Sequence, residues 1–126
     1  MIENAELALS KASKVMDLEI VDYTAGPIFM EAYKKGSHQW LIEFKTPPRD
    51  INKFTELLDQ FLKEVNSDYE SKRYKDMTLV MPKVNIAKKD LFYNWMAKKN
   101  KLGGQHKVPR LSNERDLLEE LLEINH

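Results

Sequence analysis

Apolar residues recur along this chain with two periods, and the switches between them mark its elements. From Asn4 to Met16, Leu7, Leu9, Ala12 and Val15-Met16 form a rough stripe at helical spacing. Leu18 to Ala25 then alternates, with Leu18 and Ile20 on one face and Val21 and Tyr23 on the other, until Gly26-Pro27 punctuates it. A second strand is expected from Ile28 to Tyr33, ending at the turn Lys34-Lys35-Gly36-Ser37. A third, Gln39 to Lys45, places Trp40, Ile42 and Phe44 on one side. Such short connections predict an antiparallel meander.

The second half reads as mostly helical. Pro47-Pro48-Arg49-Asp50 closes the sheet segment, and Asp50 is placed to cap a helix carrying Ile51, Phe54, Leu57-Leu58, Phe61-Leu62 and Val65, the clearest periodicity present. That stripe is core to be laid on a sheet rather than a cofactor groove. Thr78 to Ile86 predicts a fourth strand with Val80, Val84 and Ile86 on one face, Pro82 marking an edge or a bulge. Asp90 to Lys99 predicts a short helix with Leu91, Phe92, Trp95 and Met96. Ser112 or Asn113 would cap a last helix whose ridge is Leu117-Leu118-Leu121-Leu122. The order predicts an α+β fold: a small sandwich of an antiparallel or mixed sheet of about four strands covered by about four helices.

Composition narrows the function classes. With 126 residues and 42% hydrophobic content the chain supports one domain, residues 1–126, with a modest core. It has no cysteine, which fits a reducing compartment and excludes disulfide and thiolate chemistry. Its apolar runs are too short to span a bilayer, and Met1 is followed by Ile2-Glu3-Asn4 with no secretory pattern, so a cytoplasmic protein with no membrane partner is expected. His38, His106 and His126 lack ligand-like spacing, so no metal site is expected. There is no Gly-x-Ser-x-Gly elbow and no Walker or Rossmann glycine pattern. The chain therefore has no phosphate cradle of its own.

The net charge is zero but unevenly spread. Between Glu70 and Arg110 stand 11 Lys and Arg against three acids; the rest of the chain carries nine against 17. The clusters Lys72-Arg73, Lys88-Lys89 and Lys98-Lys99-Asn100-Lys101 could steer an anionic partner, although a solvated surface accounts for most single lysines.

Within that basic half lies the most informative segment, Gly103-Gly104-Gln105-His106-Lys107-Val108-Pro109-Arg110. Gly103 and Gly104 permit a backbone path closed to other residues, and Pro109 fixes one φ angle. Between them Lys107 offers a point cation, with the planar fork of Arg110 three residues on. Spacing alone leaves a functional loop and a helix stop with solvent-facing charges equally open.

A resemblance decides between them. Gln105-His106-Lys107-Val108-Pro109-Arg110 resembles the carboxyl-terminal Gln-(Tyr or His)-Lys-x-Pro-Arg signature of the auxin-responsive promoter family, the Gretchen-Hagen-type acyl-acid amido synthetases of the adenylate-forming superfamily. Asn66-Ser67-Asp68-Tyr69 with Lys72-Arg73 is similar to that family's Asn-x-x-Tyr-x-x-x-Arg stretch, and Val21-Asp22-Tyr23-Thr24 to its Val-x-Tyr-Thr strand. The strand around Trp40 continues the likeness, which covers essentially the whole chain. His106 and the paired glycines resemble bacterial members more than plant ones, which usually carry Tyr at the position of His106.

The resemblance implies a mobile carboxyl-terminal lid whose partner is a larger amino-terminal nucleotide-binding domain of the same chain. It implies ATP with magnesium for the full-length enzyme, with neither bound to this domain alone, and small carboxylic acid and amine substrates. Lys107 would be the catalytic cation of the adenylation step. Gln105, His106 and Arg110 would contact nucleotide or substrate, Arg110 alternatively fixing the loop to its own domain. Gly103, Gly104 and Pro109 would shape the loop, and Tyr69 and Arg73 would be structural or secondary. The competing expectation is a non-catalytic α+β module for nucleic-acid binding or protein interaction. Nucleic acid is not the expected partner, because Phe92, Tyr93 and Trp95 sit at spacings that helix burial explains.

Overall fold

The structure, a computed structural model, describes residues 4–29, 35–76, 78–99, 111 and 114–125. Its elements are α1 (Ala5–Val15), β1 (Ile20–Ile28), β2 (Ser37–Phe44), α2 (Ile51–Val65), α3 (Ser67–Arg73), β3 (Lys83–Ile86), α4 (Leu91–Lys98) and α5 (Asp116–Ile124), with a single 3-10 turn at Tyr74–Asp76. The sheet order is β1-β2-β3; β1 and β2 are antiparallel and β2 and β3 parallel. This is the α+β sandwich with a mixed sheet that the element order predicts.

Alternation along β2 sets the layers. Trp40, Ile42 and Phe44 join Tyr23 and Ala25 of β1 in a core closed by Ala5, Ala8, Leu9 and Ala12 of α1, Phe54, Leu58 and Leu62 of α2, and Tyr69. Leu41 points the other way, into a second core with Ala87, Leu91, Phe92 and Trp95 around α4 and Leu118 and Leu121 of α5. Helices thus cover both faces.

Local chemistry explains most boundaries. Asp50 caps α2 as expected, its side chain accepting the Lys53 N–H at 3.1 Å. Asn66 ends α2 and starts α3: its N–H bonds the Leu62 carbonyl at 3.0 Å and its Oδ1 accepts the Tyr69 N–H at 3.0 Å. Pro82 stands just before β3, which is an edge strand.

Several elements depart from the pattern. Gly26-Pro27 does not end β1, which runs through both residues to Ile28, so the expected meander is a single hairpin among the described residues. Of the second strand, Ile28 closes β1 and residues 30–34 fall outside the described set. A register shift between Ile20 and Asp22 puts Leu18, Ile20 and Tyr23 against the same core, while Val21 is 53% exposed; this bulge breaks the simple alternation. On α1 the buried residues are the alanines, Leu9 and Ser13, whereas Leu7 and Val15 face solvent. The fourth strand begins only at Lys83, and α3 is an additional helix. The Ser112 or Asn113 cap lies outside the described residues.

Candidate functional site at the edge of the sheet

The basic loop itself, with Gly103, Gly104, Gln105, His106, Lys107, Pro109 and Arg110, lies outside the described residues. Its flanks are described. On one side, Lys99 caps the end of α4 and pairs through Nζ with Glu120 Oε1 of α5 at 2.9 Å. On the other, Leu111 forms a parallel bridge with Ala25 on the outer edge of β1 and packs on the first core. The residue after Arg110 is therefore held at mid-strand.

The approach to α5 is fastened just beyond. Arg115 donates from Nη1 to the Pro27 carbonyl at 2.8 Å and from Nη2 to Gln39 Oε1 at 3.0 Å, while its Nε pairs with Glu119 at 3.1 Å. Gln39, itself buried, passes the chain on through Nε2 to Asn85 Oδ1 at 2.8 Å. This polar ladder crosses all three strands beneath α5. Gly26 makes the approach possible: a Cβ there would stand 3.2 Å from the Glu114 carbonyl oxygen and 3.3 Å from Leu118 Cδ2. A strand edge that keeps Pro27 O as an acceptor and Gly26 bare is shaped to receive this connection.

Tyr69 and Arg73 lie elsewhere, on α3 against α2. Arg73 grips Asp59 with Nε to Oδ1 and Nη2 to Oδ2, both at 2.8 Å, and Tyr69 donates its hydroxyl to Asp59 Oδ1 at 2.5 Å. Arg73 also pairs with Asp76 and donates to the Leu79 carbonyl at 3.2 Å. All three members are buried. Burial pushes the Asp59 carboxyl upward, but the hydrogen bonds from Arg73 and Tyr69 outweigh it and hold the group below its ordinary range. Burial and the bonded carboxylate together push the Tyr69 phenol up, and the bond to Asp59 raises Arg73 further. With every polar group engaged, the cluster ties α3 and the turn after it to α2.

His38 completes this region. Its ring stacks on Tyr69 at 5.9 Å between centroids with 24° between planes. Nδ1 is buried without a hydrogen-bond partner among the described residues. Burial, with a smaller contribution from Lys72, lowers its pKa to about 4, so the imidazole is neutral near pH 7.

The sequence reading missed Asp59, Gln39 and Arg115. Asp59 was detectable as an acid on the border of the α2 stripe, beside Leu58 and facing the same side as Leu62. Gln39 and Arg115 gave no local signal, since their contacts join segments 76 residues apart. Among the described residues no cluster of three His, Cys, Asp or Glu could hold a metal ion, and no helix is long and apolar enough to cross a membrane.

Comparison with known proteins adds a direct assignment. The profile of the GH3 family C-terminal domain matches residues 3–116. Among solved structures the chain is similar to a GH3.15 acyl acid amido synthetase, with a TM-score of 0.71 and 21% identity over 96% of this chain and 23% of that one. It is likewise similar to AtGH3.15 acyl acid amido synthetase in complex with 2,4-DB, with a TM-score of 0.67 and 19% identity, again over 96% of this chain and 23% of the other. No curated protein matches. The chain spans about a quarter of the length of these solved proteins, and at such identity they establish its fold. The profile covers nearly the whole chain and reaches to the start of α5, so the chain belongs to the GH3 family C-terminal domain.

Proposed function

We propose that this domain is the carboxyl-terminal lid of an ATP-dependent acyl-acid–amine ligase and brings Lys107 to the adenylation step. The family match carries the reading, because it spans the basic segment whose order, Gln105-His106-Lys107-Val108-Pro109-Arg110, resembles the family signature. The pinned flanks support it: Leu111 on β1 and Arg115 on Pro27 and Gln39 fix where the segment returns to the sheet.

In the reaction a carboxylate oxygen attacks the α-phosphorus of ATP and pyrophosphate leaves, giving an acyl-adenylate. An amine nitrogen then attacks the acyl carbon, AMP leaves, and the amine gives up its proton. Charge accumulates on the α-phosphate only as the first bond forms. A compact ammonium placed there stabilises the transition state more than the ground state, which raises rate rather than affinity alone. A lid can withdraw that cation before the amine enters. Magnesium and most nucleotide contacts belong to the larger domain, since this sequence has no glycine-rich phosphate cradle.

The test is reconstitution. Joined to its nucleotide-binding domain, the chain should support pyrophosphate release that requires both ATP and a carboxylic acid, and an amide should form when an amine is added. The larger domain alone should release pyrophosphate far more slowly. Equal rates with and without this chain would exclude the lid role.

A further inference from the structure

The parallel pair in the sheet ends in a crevice that no step above uses. Phe44 closes β2 and Ile86 closes β3. Because the two strands run the same way, their carboxyl ends open together. In α/β sheets that end of parallel strands is where ligands settle, since the chain must diverge there and leaves a gap. Here the gap has a volume of about 410 Å³. Phe44, Pro47 and Ile86 give it an apolar wall, and the exposed residues Lys45, Lys88 and Lys89 complete its rim with three basic side chains.

The charge of the rim favours an anion. Among the described residues no carboxylate forms an ion pair with any of these lysines. Glu43, the buried acid nearby, is used internally, its Oε2 accepting the Asp90 N–H at 3.1 Å. Three basic side chains bordering one crevice make its potential positive, which favours a multiply charged anion there.

The loop that carries two of them is also fixed in place. The Ala87 N–H extends the ladder to the Ile42 carbonyl at 2.8 Å, and the Lys88 N–H donates to Asn125 Oδ1 at 2.7 Å. Asn125 returns Nδ2 to the Ile86 carbonyl at 3.0 Å. One end of that amide holds the Lys88 N–H and the other the Ile86 carbonyl, so Asn125, which also lines the gap, ties the backbone on either side of Ala87. A fixed backbone lowers the ordering cost of binding.

We propose that this crevice binds a phosphate-bearing anion, its oxygens shared among Lys45, Lys88 and Lys89 and any apolar portion laid against Phe44 and Pro47. Ammonium groups act as point charges and suit a tetrahedral phosphate without demanding one orientation. The site is independent of Lys107 and of the ligase reading.

Amide NMR of this chain, titrated with pyrophosphate and separately with AMP at ionic strength matched by chloride, tests it. Saturable shifts are expected at the amides of Lys88, Lys89 and Asn125, with half-saturation on the order of 1 mM. The double variant Lys88→Gln/Lys89→Gln should keep the fold and weaken binding by about tenfold, as loss of two partly solvated ion contacts does. Lys53→Gln, on α2, should leave the affinity unchanged. Tighter binding of AMP would identify a nucleoside phosphate as the ligand, and tighter binding of pyrophosphate the free anion; either outcome upholds the site. Shifts spread evenly over all lysines, shifts unaltered in the double variant, or none at all would overturn it.

Discussion

The two faces of the sheet are built differently. On the face covered by α1 and α2 the core is large and continuous, and a charged cluster within it, Asp59 with Tyr69 and Arg73, is buried and internally neutralised. On the face covered by α4 and α5 the apolar core is smaller, and a ladder of Arg115, Gln39 and Asn85 runs beside it. Alanines bring α1 close to its neighbours on the first face, while on the second a bare glycine admits the start of α5. The first face is a scaffold. The second fastens both flanks of the basic segment, through Lys99 on Glu120 and Arg115 on Pro27, and so is where the fold meets the proposed chemistry.

The largest effect should fall on the scaffold face. Asp59→Ala leaves the guanidinium of Arg73 buried with only part of its charge answered by Asp76, and should cost about 3 kcal/mol or more of stability by denaturant unfolding. Adding Arg73→Met to Asp59→Ala should recover part of that loss, because the stranded charge is then gone. If the double variant were no more stable than the single, the buried pair would not be the unit described here.

A smaller stability loss is expected on the other face. Arg115→Ala removes donors to Pro27 and Gln39 from a side chain that is 21% exposed, and should cost about 1–2 kcal/mol. In the reconstituted ligase it should slow pyrophosphate release by more than its stability effect explains, whereas Asp59→Ala at a temperature where the domain stays folded should not. Equal kinetic losses would erase the distinction between the faces.

A third effect, absent at neutral pH, is a pH dependence. His38 titrates at about 4 in the fold, below its ordinary value of 6.5. Between those values the unfolded chain binds the proton and the folded chain does not, so stability is full above pH 6.5 and falls as pH drops toward 4. Below that window Asp59, whose pKa is also lowered, gives a further loss as it protonates. His38→Phe keeps a ring against Tyr69 and should flatten only the upper part of the profile; an unchanged slope there would assign the titration to another group.

How far the sequence could be read follows from these two faces. Helix α2 was legible because large apolar residues repeat without interruption behind a capping Asp50. The stripe of helix α1 holds at Leu9, Ala12 and Met16 but not at Leu7 and Val15, because close packing selects Ala5 and Ala8, small residues that a stripe of large ones conceals. Gly26-Pro27 looked like a turn. On an edge strand, however, a missing N–H costs no ladder bond, and the bare glycine serves the packing of α5. Tyr69 and Arg73 stood out through a family likeness, but their common partner Asp59 did not, and Arg115 had no pattern at all because its contacts reach 88 and 76 residues back. Lys107 and its neighbours were conspicuous by spacing and resemblance, and lie outside the described residues.

The central claim is that Lys107 acts in adenylation and not in amide formation. The direct measurement is to follow the two half-reactions separately in the reconstituted enzyme carrying Lys107→Ala. Pyrophosphate release from ATP and acid should fall by about a hundredfold or more, the usual effect of deleting one preorganised contact to developing negative charge. Amide formation from a supplied acyl-adenylate should change little, and the unfolding midpoint of the isolated chain should stay the same. Lys107→Arg should restore the first step only in part, because a broad planar fork does not replace a compact ammonium. Equal losses in both half-reactions, or no loss in either, would contradict the claim.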